Sequence, residues 1–111
     1  MIKNENFEEA QIVLLPFPFS DLSSVKTRPA LIIKNLGSDL IVVAISSKSG
    51  EKNYEKISNE DLSLGELPVD SYVRYAKIIT IDSNLVNRSV GQIKMICFEK
   101  ERNKLLDLLG K

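Results

Sequence analysis

The side chains with chemistry to offer in this chain are arginines and hydroxyls placed at the ends of apolar runs. Arg28 stands immediately before Pro29 at the head of "PALIIKN", Ser46 and Ser47 close "LIVVAISS", and Arg74 lies inside "SYVRYAKIITID". A guanidinium presents a planar fork of donors that fits a phosphate or carboxylate in both charge and shape, and a hydroxyl adds one more donor. There is no histidine among the 111 residues, which excludes imidazole acid–base catalysis, serine–histidine hydrolysis and most zinc sites. One cysteine, Cys97, and scattered acids give no metal-ligand spacing, and there is no glycine-rich phosphate loop. The chemistry open to such a chain is metal-free or uses weakly held ions.

Those residues need strands to hold them. "QIVLLP" at 11–16 is a continuous apolar run ended by proline, as expected of a buried strand in a small barrel. "PFPF" fixes two φ angles and removes two backbone donors, so an extended, irregular exit is expected, followed by a side-chain-built turn at "SDLSS". "PALIIKN" is the second strand, with proline tolerated at its first residue, and "LIVVAIS" is the third, after the turn "NLGSD". If these two strands are antiparallel neighbours, Arg28 at the entrance of one and Ser46 at the exit of the other reach the same edge of the sheet. The structural alternative is that Arg28 pairs with Asp21 across the loop and Ser46 caps a turn.

Beyond them, "SKSGEKNYEK" reads as a surface loop, and "SNEDLSL" offers Ser58 or Asn59 as the cap of one helical turn. "SYVRYAKIITID" is one long strand or two short ones, and "SNLVNRSVGQIK" is a turn with a final strand. "FEKERNKLLDLLG" places Phe98, Leu105, Leu106 and Leu109 at helical spacing with Gly110 as a stop. Five or so strands and one closing helix make a mainly β single domain spanning 1–111. Cys97 reads as a core residue near the helix start.

Composition sets the outer bounds. The apolar fraction of 43% and charged fraction of 27% are those of an ordinary globular domain rather than a disordered or collagen-like chain. The charged first ten residues lack the apolar core of a secretory signal, and the longest apolar run, "LIVVAI", is far too short for a bilayer. With one cysteine, a reducing cytoplasm is the natural compartment. Fifteen basic and fifteen acidic residues cancel, but they segregate. Lys26, Arg28, Lys34, Lys48 and Lys52 stand against Asp39 and Glu51 alone in 24–52, a locally basic segment suited to a polyanion.

"QIVLLPFPFSDLSSVKTRPALII", then "VVAISS" and "VRYAKIITID", in that order, resembles the MazF/PemK/Kid family of toxins from type II toxin–antitoxin systems, over roughly residues 9–109. The resemblance implies a small SH3-like barrel of the MazF/CcdB type and a homodimer. It implies sequence-selective, metal-independent cleavage of single-stranded RNA, and neutralisation by a cognate antitoxin. It places Arg28 at the scissile phosphate, Ser46 at the position of a hydroxyl residue that is usually threonine, and Arg74 at a second arginine catalytic in some members. Three departures stand out. Ala10 and Gln11 replace a usual glycine–aspartate, Ala76 replaces an aspartate two residues after the second arginine, and a first-loop histidine used by some members is absent.

On that reading the RNA supplies its own nucleophile, the 2′-hydroxyl, and the products are a 2′,3′-cyclic phosphate and a 5′-hydroxyl end. Arg28 serves the charge that builds on the phosphate oxygens, since a pKa above ~12 disqualifies it as a base. The base is open between solvent, Lys26 and an acid of a partner subunit. Phe19, with Phe17 and Tyr54, offers faces for stacking splayed bases, while Lys26, Ser47, Lys48 and Lys52 are suited to the RNA backbone. For both phenylalanines the competing role is core packing, and for the lysines a solvated surface. The competing function is a non-catalytic toxin of the gyrase-poisoning CcdB type, or a degenerate member that binds antitoxin without cutting RNA.

Overall fold

The computed structural model describes residues 7–17, 26–50 and 54–110. Seven strands form one sheet: β1 (Gln11–Phe17), β2 (Lys26–Asn35), β3 (Asp39–Ser46), β4 (Tyr54–Ile57), β5 (Leu62–Gly65), β6 (Ser71–Asp82) and β7 (Arg88–Ile93). Their order across the sheet is β4-β6-β3-β2-β1-β7-β5, and every pairing is antiparallel. Among the described residues one α-helix, α1 (Met95–Gly110), follows the last strand. The result is the expected mainly β domain with a C-terminal helix, although β4 and β5 end the sheet instead of pairing with each other.

The continuous apolar runs form the middle of the sheet. β1, β2 and β3 are adjacent and buried on both faces, which is why they read as unbroken hydrophobic stretches rather than alternating ones. One face, carrying Ile12, Leu31, Val43, Ile45, Val73 and Tyr75, forms a cluster with Phe98 and Leu105 of α1. The other buries Val13, Leu15, Ala30, Ile32, Val42 and Ala44 with Ile81 and Val86. Successive residues serve opposite cores, so a one-residue slip of any central strand would exchange the two sets.

Several boundaries depart from expectation. β1 continues through Pro16 and Phe17, which pair with Thr27 and Lys26, so the first hairpin is longer than the prolines suggest. β2 starts at Lys26, and Pro29 lies just outside the pairing with β3, which begins at Ala30; its missing N–H is tolerated there because β2 is unpaired on that side. The segment read as a loop up to residue 56 contains β4, whose four residues are too few for periodicity to announce. "SNEDLSL" divides into a 3₁₀ turn at Asn59–Asp61, with the Asp61 carboxylate accepting from the Ser58 N–H at 2.9 Å, and β5.

In α1 the inward stripe is Phe98, Glu101 and Leu105, spaced three and four residues apart as one helical face requires. Leu106 and Leu109, expected in the core, are 58% and 63% exposed, because the stripe passes through Glu101 instead. Cys97 is half-buried against the same cluster, and its thiol contacts Asp61 Oδ1 at 3.6 Å. No helix among the described residues is long and apolar enough to cross a membrane.

Candidate functional site

The register of the central strands decides which functional side chains meet. β2 and β3 pair Ala30 with Ala44, the last pair of that ladder, and Arg28 and Ser46 stand two residues further along their strands, beyond it. Across β1, Arg28 is opposite Leu15; across β6, Ser46 is opposite Tyr72. One row inward, Arg74 is opposite Ala44 on one side and Tyr54 on the other. Cross-strand partners share a face, so Arg28, Ser46 and Arg74 occupy adjacent rows on the face turned away from α1.

Each carries capacity for a ligand or a stated occupation. The Ser46 Oγ accepts the Lys48 N–H at 3.0 Å, the turn-capping contact foreseen as its structural role, yet this uses one lone pair and leaves the hydroxyl proton to donate. Lys48 itself is exposed. The Arg74 guanidinium sits 5.1 Å from the Tyr54 ring centroid, while its Nε is buried with no hydrogen-bond partner among the described residues. An unmet buried donor costs about 1–3 kcal/mol. Arg28, exposed at the strand end, engages other groups of the chain. Lys26 opens β2 opposite Phe17. Phe19, Asp21 and Lys52 lie outside the described residues.

A cavity of about 650 Å³ opens at the same end of the sheet, on the side of α1. Its floor is apolar, from Leu14, Pro29, Ile45, Leu67 and Val90, and its rim is polar, from Arg28, Ser47, Glu66, Ser71, Arg88 and Ser89. Ser47 therefore belongs to the cavity and Ser46 to the row on the opposite face. Arg88 reaches this cavity through a β-bulge. Ile12 pairs with Gly91 but Val13 with Ser89, so Val90 is extra and Arg88 comes opposite Leu14, which borders Pro29 on the other side. Bulges of this kind re-aim side chains at the ends of sheets.

The far wall, residues 66–69, is held at Gly65 and at Leu67. Gly65 has φ +79°, and a Cβ there would lie 2.2 Å from the Val90 carbonyl oxygen, so only glycine permits β5 to approach β7 this closely. Two residues on, the Asn59 side-chain amide donates to the Leu67 carbonyl at 3.2 Å and accepts the Leu67 N–H at 2.7 Å. Neither Glu66 nor Arg88 makes a side-chain hydrogen bond or ion pair among the described residues, although both line one cavity.

Among the described residues, the most perturbed carboxyl lies elsewhere. Glu101 is 3% exposed under α1, and burial pushes its pKa up to about 7 against the hydrogen bond it accepts from the Tyr75 hydroxyl at 2.6 Å. Burial and the same contact push the Tyr75 hydroxyl up as well. No three histidine, cysteine, aspartate or glutamate side chains come together as a metal site among the described residues.

Glu66, Arg88, Ser71, Ser89 and the Asn59 clamp were not singled out from sequence. Arg88 lies within a stretch that reads as turn and strand start, and nothing but Gly91 hints at the irregularity that turns it toward the cavity. Glu66 lies in a run of acids that reads as a solvated surface.

The model of the PemK-like, MazF-like toxins of type II toxin–antitoxin systems matches residues 8–109. Among solved structures, the MazE–MazF complex from Deinococcus radiodurans is similar with a TM-score of 0.70 and 16% identity, over 93% of this chain and 95% of that one. An endoribonuclease from a mycobacterial species gives 0.68 and 16%, over 97% and 96%. A mycobacterial endoribonuclease in complex with its cognate antitoxin gives 0.65 and 18%, over 92% and 91%. A comparison with curated proteins finds no match.

Proposed function

The chain belongs to the PemK-like, MazF-like toxins of type II toxin–antitoxin systems, and from that membership we propose that it is an endoribonuclease toxin that cleaves single-stranded RNA at the Arg28 end of its sheet. The observation that supports the reading is that Arg28, at the end of β2, and Ser46 and Arg74, on β3 and β6, fall on one face at the same end of the sheet. Two guanidinium groups and a hydroxyl with a proton to donate suit a phosphodiester whose non-bridging oxygens gain charge in the transition state.

The 2′-hydroxyl of the RNA attacks the adjacent phosphorus in line. The 2′-O–P bond forms as the P–O5′ bond breaks, the 2′-proton passes to solvent, and the 5′-oxygen takes a proton from solvent. With this internal nucleophile the step needs neither an activated water nor a metal. Arg28 binds the scissile phosphate, Arg74 adds a second positive charge released toward it from the Tyr54 ring, and Ser46 donates to a phosphate oxygen. Lys48 and Lys52 suit neighbouring phosphates, and Phe19 and Tyr54 suit splayed bases. A cognate antitoxin that covers this end of the sheet neutralises the toxin, and the chain acts as a homodimer in the cytoplasm. The solved relatives in complex with antitoxins support the antitoxin partner.

The test is incubation of antitoxin-free protein with a long single-stranded RNA in EDTA, beside its Arg28→Ala variant, with mapping of fragment ends. Discrete cuts with 5′-hydroxyl ends, reduced at least ~100-fold in the variant, are expected from loss of one charge-stabilising donor set. Growth arrest that survives Arg28→Ala would move the assignment to a toxin acting by protein binding.

A further inference from the structure

We propose that the cavity beside Arg28 is a nucleobase pocket selective for guanine, with Glu66 and Arg88 as the specificity-determining pair; this rests on the reading of the Arg28 end as an RNA site. The cavity has the size and character of a small-ligand site, about 650 Å³ with an apolar floor and a few polar groups at its rim. It shares Arg28 with the catalytic row, so a base splayed from a nucleotide next to the bound phosphate has a place to go without leaving the site. Single-stranded RNA is recognised in this way, by unstacked bases inserted against apolar surface and bonded along their edges.

The choice of base follows from the charges. Glu66 and Arg88 line the same cavity and yet make no side-chain ion pair or hydrogen bond among the described residues. A ligand satisfying both must offer two adjacent donors to a carboxylate and acceptors to a guanidinium. Guanine alone does so: N1–H and the 2-amino group lie side by side for Glu66, and O6 and N7 accept from arginine. Adenine and cytosine would turn a ring nitrogen lone pair toward the carboxylate, and uracil has one ring donor between two carbonyl oxygens. The Gly65 contact and the Asn59 clamp hold the backbone on either side of Glu66, so the wall that bears the carboxylate is in place before the base arrives. Both side chains are exposed at the rim, so discrimination rests on the paired hydrogen bonds that only the matching base edge completes.

The experiment uses short single-stranded oligonucleotides of uridine with one guanosine, and analogues in which it is replaced by inosine, 7-deazaguanosine or adenosine. Cleavage of the ribose series and fluorescence-anisotropy binding of 2′-deoxy versions are measured with the wild type, Glu66→Gln and Arg88→Ala, with thermal melts as a folding check. Guanine should be favoured over inosine and adenine on the order of 10- to 100-fold. In Glu66→Gln the guanine-to-inosine ratio should collapse toward one; in Arg88→Ala the guanine-to-7-deazaguanine ratio should do so. Cleavage by the wild type without guanine preference, or a ratio unchanged in Glu66→Gln, overturns the pocket and leaves the Arg28 reading intact. Guanine-selective binding without cleavage keeps the pocket and removes the nuclease assignment, and the absence of both removes both.

Discussion

Two clusters of charge flank the same sheet and are treated in opposite ways. Under α1, Glu55 accepts from Lys100 at 2.9 Å and also from Lys104, and Glu101 accepts from the Tyr75 hydroxyl at 2.6 Å. At the Arg28 end, Arg74 keeps a buried Nε without a partner among the described residues, and Glu66 and Arg88 share a cavity without bonding to each other. A polar group satisfied by its own chain stabilises the fold, while a buried one left unmet, such as the Arg74 Nε, is costly until something binds, and exposed ones such as Glu66 and Arg88 stay available to a ligand at no such cost. The Glu101 carboxyl, pushed well up by burial, therefore belongs to structure, whereas the groups of the site are set apart by what they can still bind. Perturbed titration points to function only where the group can also be reached.

Core truncation on the helix side should give the largest effect and sharpen the contrast. Phe98 is 1% exposed and links α1 to the cluster that contains Ile12, Leu31 and Val43. Phe98→Ala should destabilise by about 3–5 kcal/mol in urea unfolding, while the fraction still folded cuts RNA at the wild-type rate. Arg28→Ala should do the reverse, abolishing cleavage with the unfolding midpoint unchanged. A Phe98→Ala protein of wild-type stability that no longer cuts would dissolve the division between the two regions.

Much of this arrangement was legible in the residues. The apolar runs marked the three central strands, and the NLGSD turn made β2 and β3 antiparallel neighbours, which puts the strand ends that carry Arg28 and Ser46 at one edge of the sheet. What stayed hidden depended on single-residue irregularities and on long-range clamps. The extra Val90 turns Arg88 into the cavity, yet a bulge leaves no trace in hydrophobic period. β4 and β5 are short edge strands whose existence is decided by what they pair with, Arg74 and Gly91 among others. Glu101 occupies a core position that helical spacing assigns to leucines, because a carboxyl held near neutrality and bonded to Tyr75 packs as a polar core group. The Asn59 clamp on Leu67 joins residues eight apart that neither composition nor spacing connects.

The satisfied cluster makes a pH prediction of definite sign. Glu101 has a folded pKa of about 7 against an ordinary value of 4.5, chiefly from burial. The native state therefore binds the proton more tightly than the unfolded chain, so this group favours folding below about pH 4.5 and loses that contribution as pH rises through about 7. The full swing is about 3 kcal/mol. Glu101→Gln, which can still accept from Tyr75, should flatten the decline between pH 5 and 8 and be more stable than the wild type at pH 8. Urea midpoints across that range decide it, and an unchanged slope in Glu101→Gln would show that the pH dependence arises elsewhere.

The smallest effect tests whether pairing under α1 is strong or merely complete. Burial alone would raise Glu55, but hydrogen bonds from Lys104 and Lys100 outweigh it and lower its pKa, so its contribution is present at neutral pH and fades as pH falls through that lowered value. Both lysines are substantially exposed, and such pairs are worth about 0.2–1 kcal/mol. Lys100→Ala should thus cost less than about 1 kcal/mol at pH 7, because Lys104 continues to serve the same carboxylate, and the cost should shrink further in molar salt as the Debye length falls to about 3 Å. A salt-insensitive loss of several kcal/mol would mean that Glu55 is held as a buried ion pair. The helix side would then depend on electrostatics as heavily as the Arg28 end, and open valence would no longer separate the two regions.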